Sequence, residues 1–279
     1  DMGYMFYAAA SFDGDISSWD VSKVTDMSFM FSTLFNEVIF NPDLSSWDVS
    51  QVKNMERMFS GAKLFNGDIS TWDVSQVKNM KRMFSGALSF NGDISTWIVS
   101  RVENMNEMFY YAISFNRDLS SWDISNVTNI EGMFFGTTSF NGNVSTWDVS
   151  QLTSLKRLFL GSSFNGDISN WDVSQVKNME SMFSSAYSFN GDISNWDVSR
   201  VENMNGVFSY AYSFNGDISN WDVSQVEDMR GLFYFATSFN QDLSSWCVSN
   251  IHSLPWGFDF NSKLSTGNYP IWGTCSSGK

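Results

Sequence analysis

Apolar positions recur along the chain in two alternating spacings. Ile69, Trp72, Val74 and Val77 follow an L-x-x-L-x-L-x-x-L pattern, with Thr71, Asp73 and Ser75 interleaved. This predicts a short strand with one buried face and an outward row of Thr, Asp and Ser. Val77, Met80, Met83, Phe84 and Ala87 are then separated by 3, 3, 1 and 3 residues. That spacing places all five on one face of about three helical turns, and Ser75 is suited to cap such a helix. A Phe-Asn-x-Asp corner, as in Phe65 to Asp68, leads into the next strand. Pro42, Arg117 and Gln241 stand at its third position where other copies carry glycine, so the corner predicts an ordinary type I turn rather than positive φ.

The unit recurs with a regularity that overrides ordinary domain arithmetic. Tryptophans at 19, 47, 72, 97, 122, 147, 171, 196, 221 and 246 are spaced by 28, four times 25, 24, and three times 25 residues. The long interval holds FNEVIF, with a three-residue insertion around Asn36 to Ile39; the short one lacks a residue before Phe164. The expected architecture is an α/β solenoid, a stack of about ten 25-residue strand–helix–turn coils sharing one parallel sheet. At roughly 4.8 Å per strand that sheet would be about 45–50 Å long. Residues 1–246 form the array, which enters mid-repeat at residue 1; residues 247–279 form a degenerate last coil and a C-terminal cap.

The pattern F-N-x-D-(I/L)-S-x-W-D-V-S-x-V-x-N-M-x-x-M-F resembles the 25–26-residue bacterial surface-protein repeat of mycoplasma-lipoprotein type, from about Asp1 to Phe258. Departures are local. Ile98 and Cys247 replace the Asp after Trp, and Leu155 and Leu158 replace the two Met. The resemblance implies a leucine-rich-repeat-like coil, a secreted or surface location and an adhesive or interaction role. It brings no common catalytic residues.

Composition narrows the function classes. Sixteen Lys and Arg against thirty Asp and Glu give a net charge of −14, which argues against nucleic acid and anionic membranes as partners. No apolar run reaches the roughly 20 residues of a membrane helix. The opening DMGYMFYAAA has neither an initiator Met nor a signal-like basic region, so the chain is expected to be a piece of a longer product. Met2 and Met5 then stand on an open N-terminal face, to be covered by preceding coils or by another subunit. Cys247 and Cys275 are placed to form one terminal disulfide. Asn126-Val127-Thr128 and Asn143-Val144-Ser145 match the N-glycosylation sequon.

Two carboxylate columns are the first candidate sites. Asp20, Asp48, Asp73, Asp123, Asp148, Asp172, Asp197 and Asp222 follow the tryptophans. About 5 Å apart, neighbours would repel by roughly 0.8 kcal/mol in water, which serine hydroxyls, backbone donors, calcium or partial protonation could offset. Calcium wants six to eight oxygens, which a flat Asp-Ser row does not gather, so no cofactor is expected. A second column runs through Asp15, Asp43, Asp68, Asp93, Asp118, Asp167, Asp192, Asp217 and Asp242, with Asn143 in one copy. That exchange keeps the acceptor and removes the charge, which favours turn capping over acid–base chemistry.

Catalysis has little support. His252 stands alone in the degenerate coil, and no carboxylate pair is unique within the array. The Met columns share their face with Phe and Val, as core does. The copies disagree just after each Met-Phe pair. Most carry small residues there, whereas Tyr110, Tyr111, Phe135, Tyr187, Tyr210, Tyr212, Tyr234 and Phe235 bring aromatics to one predicted edge. Such rings either grip a protein or sugar or thicken the core between coils. The expectation is a non-enzymatic extracellular or cell-surface scaffold acting by adhesion or by matrix or filament assembly through protein–protein contacts. The rival reading is a glycan- or ligand-binding receptor module using the aromatic edge.

Overall fold

The computed structural model describes residues 1–9, 12–33 and 41–275. The expected insertion around Asn36 to Ile39 and the last four residues of the cap lie outside the described residues. The chain divides into two compact units, Asp1–Trp147 and Asp148–Lys279. Within each, successive coils stack on one another.

Neither the predicted strand nor the predicted helix forms. Among the described residues, regular structure is limited to one three-residue 3-10 helix, Thr266–Asn268, and to isolated parallel bridges. In the first unit these join Asp26 to Asn54, Asn54 to Asn79, Asn79 to Asn104 and Asn104 to Asn129; in the second they run from Ser154 through Asn178 and Asn203 to Asp228. The α/β solenoid of leucine-rich-repeat-like strand–helix–turn coils with a parallel sheet is therefore overturned. The coil is a chain of tight turns.

The hydrogen bonds show why. In residues 69–90 the N–H groups of Trp72, Val77, Met83, Ser85, Ala87 and Phe90 donate to the carbonyls of Ile69, Val74, Met80, Arg82, Phe84 and Ala87, at 2.9–3.2 Å. Each bond closes a four-residue turn, mostly with an apolar residue at either end. A separation of three is common to helix neighbours and to turn ends, so the apolar pattern reads the same for both. What rules out the helix is backbone sign. Arg82 has φ 54° and Gly86 φ 70°, and the same two columns are positive at Arg57, Gly61, Arg157 and Gly161. Positive φ at the third residue of an i→i+3 turn is the type II signature. Ser75 caps no helix; its N–H donates to Asp73 Oδ1 at 3.0 Å.

The remaining amides hold coil to coil. Met80, Arg82, Phe84 and Gly86 donate to Asn104, Asn106, Met108 and Tyr110 of the next coil, at 2.6–2.9 Å. Alternate amides thus reach the neighbour while those between close their own turns. A strand would need the second set for another strand, which is why bridges stay isolated.

Within each unit the core consists of columns running through its stack of coils. Ile69, Trp72, Val74, Val77, Met80, Met83, Phe84, Ala87 and Phe90 are all buried, and so are their counterparts in neighbouring coils. Phe84 stacks on Phe90 at 3.9 Å and on Phe109 at 5.7 Å. A buried indole N–H needs an acceptor, and a carbonyl one coil back supplies it: Trp97 Nε1 donates to Ile69 O at 3.1 Å, Trp221 Nε1 to Ile193 O at 3.1 Å. At the Phe-Asn corner, Asn66 Oδ1 accepts from Asn91 N–H at 2.9 Å, and Asn190 Oδ1 from Asn215 N–H at 2.8 Å. The corner glycines, Gly67 among them, are not in the positive-φ region. After Trp246 the chain folds back, and a Cys247–Cys275 disulfide ties it to the last coil. Among the described residues no helix is long and apolar enough to cross a membrane.

Candidate functional site

The carboxylate columns lie at the corners of the coil. All eight members of the column after tryptophan accept an N–H from the serine two residues on; Ser22 donates to Asp20 and Ser224 to Asp222, each at 3.0 Å. This is the Asx turn, in which the side chain substitutes for a backbone acceptor. The serine hydroxyl first, and its N–H second, hold Asp20, Asp48, Asp123 and Asp172 below the usual carboxylate range.

The second column does the same one corner earlier. Ser70 N–H donates to Asp68 Oδ1, and Ser145 N–H donates to Asn143 Oδ1, both at 3.0 Å. Carboxyls here are also held low. The serine N–H is the larger cause at Asp15, Asp68, Asp167, Asp192, Asp217 and Asp242, and the hydroxyl at Asp43, Asp93 and Asp118. Among the described residues no three His, Cys, Asp or Glu side chains converge as metal ligands would. His252, Asn126 and Asn143 are all exposed.

The aromatic residues that vary between copies lie outside the core. Tyr111, Tyr187 and Tyr212 are exposed at 46%, 54% and 39%; Tyr110, Phe135, Tyr210, Tyr234 and Phe235 are half-buried. In the first unit Tyr110, Tyr111 and Phe135 form one cluster, with centroids 4.7–5.3 Å apart. In the second a longer ribbon forms. Tyr187 stacks on Tyr212 at 5.0 Å, Tyr210 on Phe235 at 5.0 Å, and Tyr234 on Trp256 and Phe260 at 5.9 and 5.4 Å. Tyr210 bridges the two parts, 6.3 Å from Tyr212 and 5.5 Å from Tyr234. Three of these rings, Tyr111, Tyr210 and Phe235, occupy the positive-φ column that holds glycine at 61, 86, 136 and 161.

A groove of about 390 Å³ runs beside the ribbon in the second unit, edged by Tyr210, Tyr234 and Trp256. Gly206 and Gly231 face it, with Ser181, Ser184, Ser209 and Asn205. Arg230 lies on its bank and is already spent on Asp228: Nε donates to Oδ1 at 3.0 Å and a terminal nitrogen to Oδ2 at 2.6 Å. That bond is the first cause of the lowered Asp228 pKa, and Asn205 Nδ2 adds another at 3.2 Å. Burial and the Tyr234 phenol raise Tyr210, which stays neutral. Sequence reasoning missed Trp256, Phe260 and the two glycines. The available signal was the column before the second Met, where Arg57, Arg82, Glu107 and Arg157, interrupted once by Gly132, give way after Ser181 to Gly206, Gly231 and Gly257 in succession.

Comparison with known proteins supplies a family. The sequence matches the family described as "Mycoplasma protein of unknown function, DUF285" in five overlapping stretches, residues 1–93, 32–143, 66–165, 114–211 and 153–268. The chain belongs to that family. The leucine-rich-repeat kinship implied by the resemblance has no counterpart in the described backbone. No curated protein matches the sequence. Among solved structures, the functional domain of InlJ from Listeria monocytogenes, described as including a cysteine ladder, aligns at 14% identity and a TM-score of 0.19. That alignment covers 88% of this chain and 56% of the other, and at such a score it carries no argument.

Proposed function

We propose that this member of the DUF285 repeat family is a non-enzymatic scaffold, extracellular or at the cell surface, that adheres or assembles through protein–protein contacts along its aromatic edge. The supporting observation is the placement of Tyr111, Tyr210 and Phe235 at φ 53°, 57° and 57°. A left-handed backbone costs an L-residue about 1–2 kcal/mol; Gly61, Gly86, Gly136 and Gly161 avoid that cost in sister coils, whereas Ala8, Ser185 and Asn261 bear it as these rings do. Strain retained in this way concentrates at binding sites. None of the three rings is fully buried, so packing offsets only part of the cost. The Cys247–Cys275 bond suits an oxidising compartment.

The test is adhesion of chain-coated beads to cultured cells and to matrix-coated surfaces. Y111S/F135S and Y187S/Y212S variants should adhere several-fold less with unchanged melting temperature. Variants that adhere as well as wild type would remove the reading. A second reading, a glycan receptor, is favoured by one feature only: the aromatic-edged, glycine-lined groove at Tyr234.

A further inference from the structure

We propose that the groove edged by Tyr210, Tyr234 and Trp256 is a binding site for a neutral oligosaccharide; the proposal rests on the partner-binding reading of the aromatic edge and gives one part of that edge a ligand class. The groove is made by a local change in the repeat. In the column before the second Met, Arg57, Arg82, Glu107 and Arg157 carry long side chains, with a single glycine at Gly132, and Arg82 pairs with Glu107 across coils. From Ser181 onward that column is Ser, Gly206, Gly231 and Gly257. A Cβ built at Gly231 would meet only Tyr234 Cβ, at 3.8 Å, and one at Gly206 only Ser181 Oγ at 3.4 Å and Ser209 Cβ at 3.8 Å. The missing side chains leave the space that the groove occupies.

Its chemistry selects among ligands. Sugars present apolar C–H faces and a rim of hydroxyls, and they need ring faces together with small hydrogen-bonding groups. Trp256 is 76% exposed and stacked on Tyr234, and Ser181, Ser184, Ser209 and Asn205 supply hydroxyl and amide partners. Tyr234 and Trp256 lie 5.9 Å apart with planes 18° from parallel, while Tyr210 stands edge-on to Tyr234 at 5.5 Å and 71°, so the two near-parallel rings offer the stacking surface and Tyr210 an edge. Charge points to a neutral chain. The one cation on the bank is neutralised by Asp228, and a protein of net charge −14 repels polyanions. A proline-rich peptide would also use aromatic walls; the serines and Asn205 between them favour a ligand with a rim of hydroxyls.

Isothermal titration of the whole chain tests the site. The neutral probes are hexasaccharides of β-linked glucose, β-linked N-acetylglucosamine and α-linked mannose; the comparison probes are a heparin oligosaccharide and a proline-rich peptide. Wild type should bind at least one neutral probe, and W256A and G231R should each weaken it about tenfold. G231R restores the side chain that Arg57, Arg82 and Arg157 carry at φ 53°, 54° and 56°, so it blocks the groove with a residue the fold accommodates. W256A truncates an exposed ring and keeps the test decisive if G231R misfolds. Binding of no neutral probe, binding of only the anionic or peptide probe, or equal binding by W256A overturns the assignment. If that happens while bead adhesion still depends on Tyr111 and Phe135, only the glycan assignment falls. Loss of both results removes the aromatic-edge reading as well.

Discussion

At the scale of single residues, the recurring problem is a backbone that must turn left twice per coil. Glycine answers it at Gly61 and Gly86, yet the two are not equivalent. A Cβ at Gly61 would come within 2.4 Å of Thr33 O and 2.7 Å of Thr33 Oγ1, whereas at Gly86 nothing lies nearer than 3.6 Å. Gly86→Ala should therefore cost only the left-handed penalty, about 1–2 kcal/mol. Gly61→Ala adds a backbone clash and should cost more, or displace the Thr33 carbonyl. Chemical denaturation of the two variants checks the order, and equal losses would show that the first coils yield freely. The sequence could not rank them, because both read as the same glycine of the same motif. The binding groove was hidden for a related reason: its decisive feature is side chains that are missing, at Gly206 and Gly231, and a motif search looks for groups that are present.

At the scale of the element, buried positions were legible and backbone form was not. The nine apolar columns read from residues 65–90 all lie in the core. Their spacing of three, however, serves a helix and a run of turns equally, and the residue that breaks the helix is Arg82 at φ 54°, a good helix former by propensity. Asp, Asn and Ser were the better indicators, since their side chains compete with helix and strand by bonding nearby amides. Those bonds make the coil pH-sensitive. Carboxyls such as Asp43, Asp93 and Asp118 are held low by serine hydroxyls and amides in the fold, so they stabilise it above the unfolded value, about 3.9. That stability is lost as pH falls through their lower folded values. The melting temperature should hold from neutral pH to about 5 and drop below about 4. A melting temperature that rises on acidification would mean that repulsion between neighbouring coils outweighs the serine bonds. At neutral pH Asp68→Asn keeps the acceptor, as Asn143 does in its own coil, and should lower the melting temperature less than Asp68→Ala.

At the scale of the molecule, a coil holds its place through its neighbours, so a local constraint should fade with distance from its source. The Cys247–Cys275 bond offers the test, because it closes a loop of 28 residues at the last coil and both cysteines lie in the unit Asp148–Lys279. The fold-back it secures also carries inter-coil bonds, Val248 N–H to Thr274 O at 2.9 Å and Gly273 N–H to Ile251 O at 2.8 Å. Reduction should release about 3–4 kcal/mol of loop-closure stabilisation, and the coils nearest the loop should feel it most. Hydrogen exchange read by peptide should then show the amides of Leu243, Trp246 and Val248 losing protection first. Those of Phe233 and Phe208 should follow by progressively smaller amounts, and those of Phe183 should change least. Equal loss across residues 183–248 would contradict nearest-neighbour stabilisation and mark the unit as a single cooperative block. A gradient would carry a consequence for the groove: Tyr234 and Trp256 sit within the coils closest to the bond, so reduction should weaken ligand capture there before it unfolds the unit.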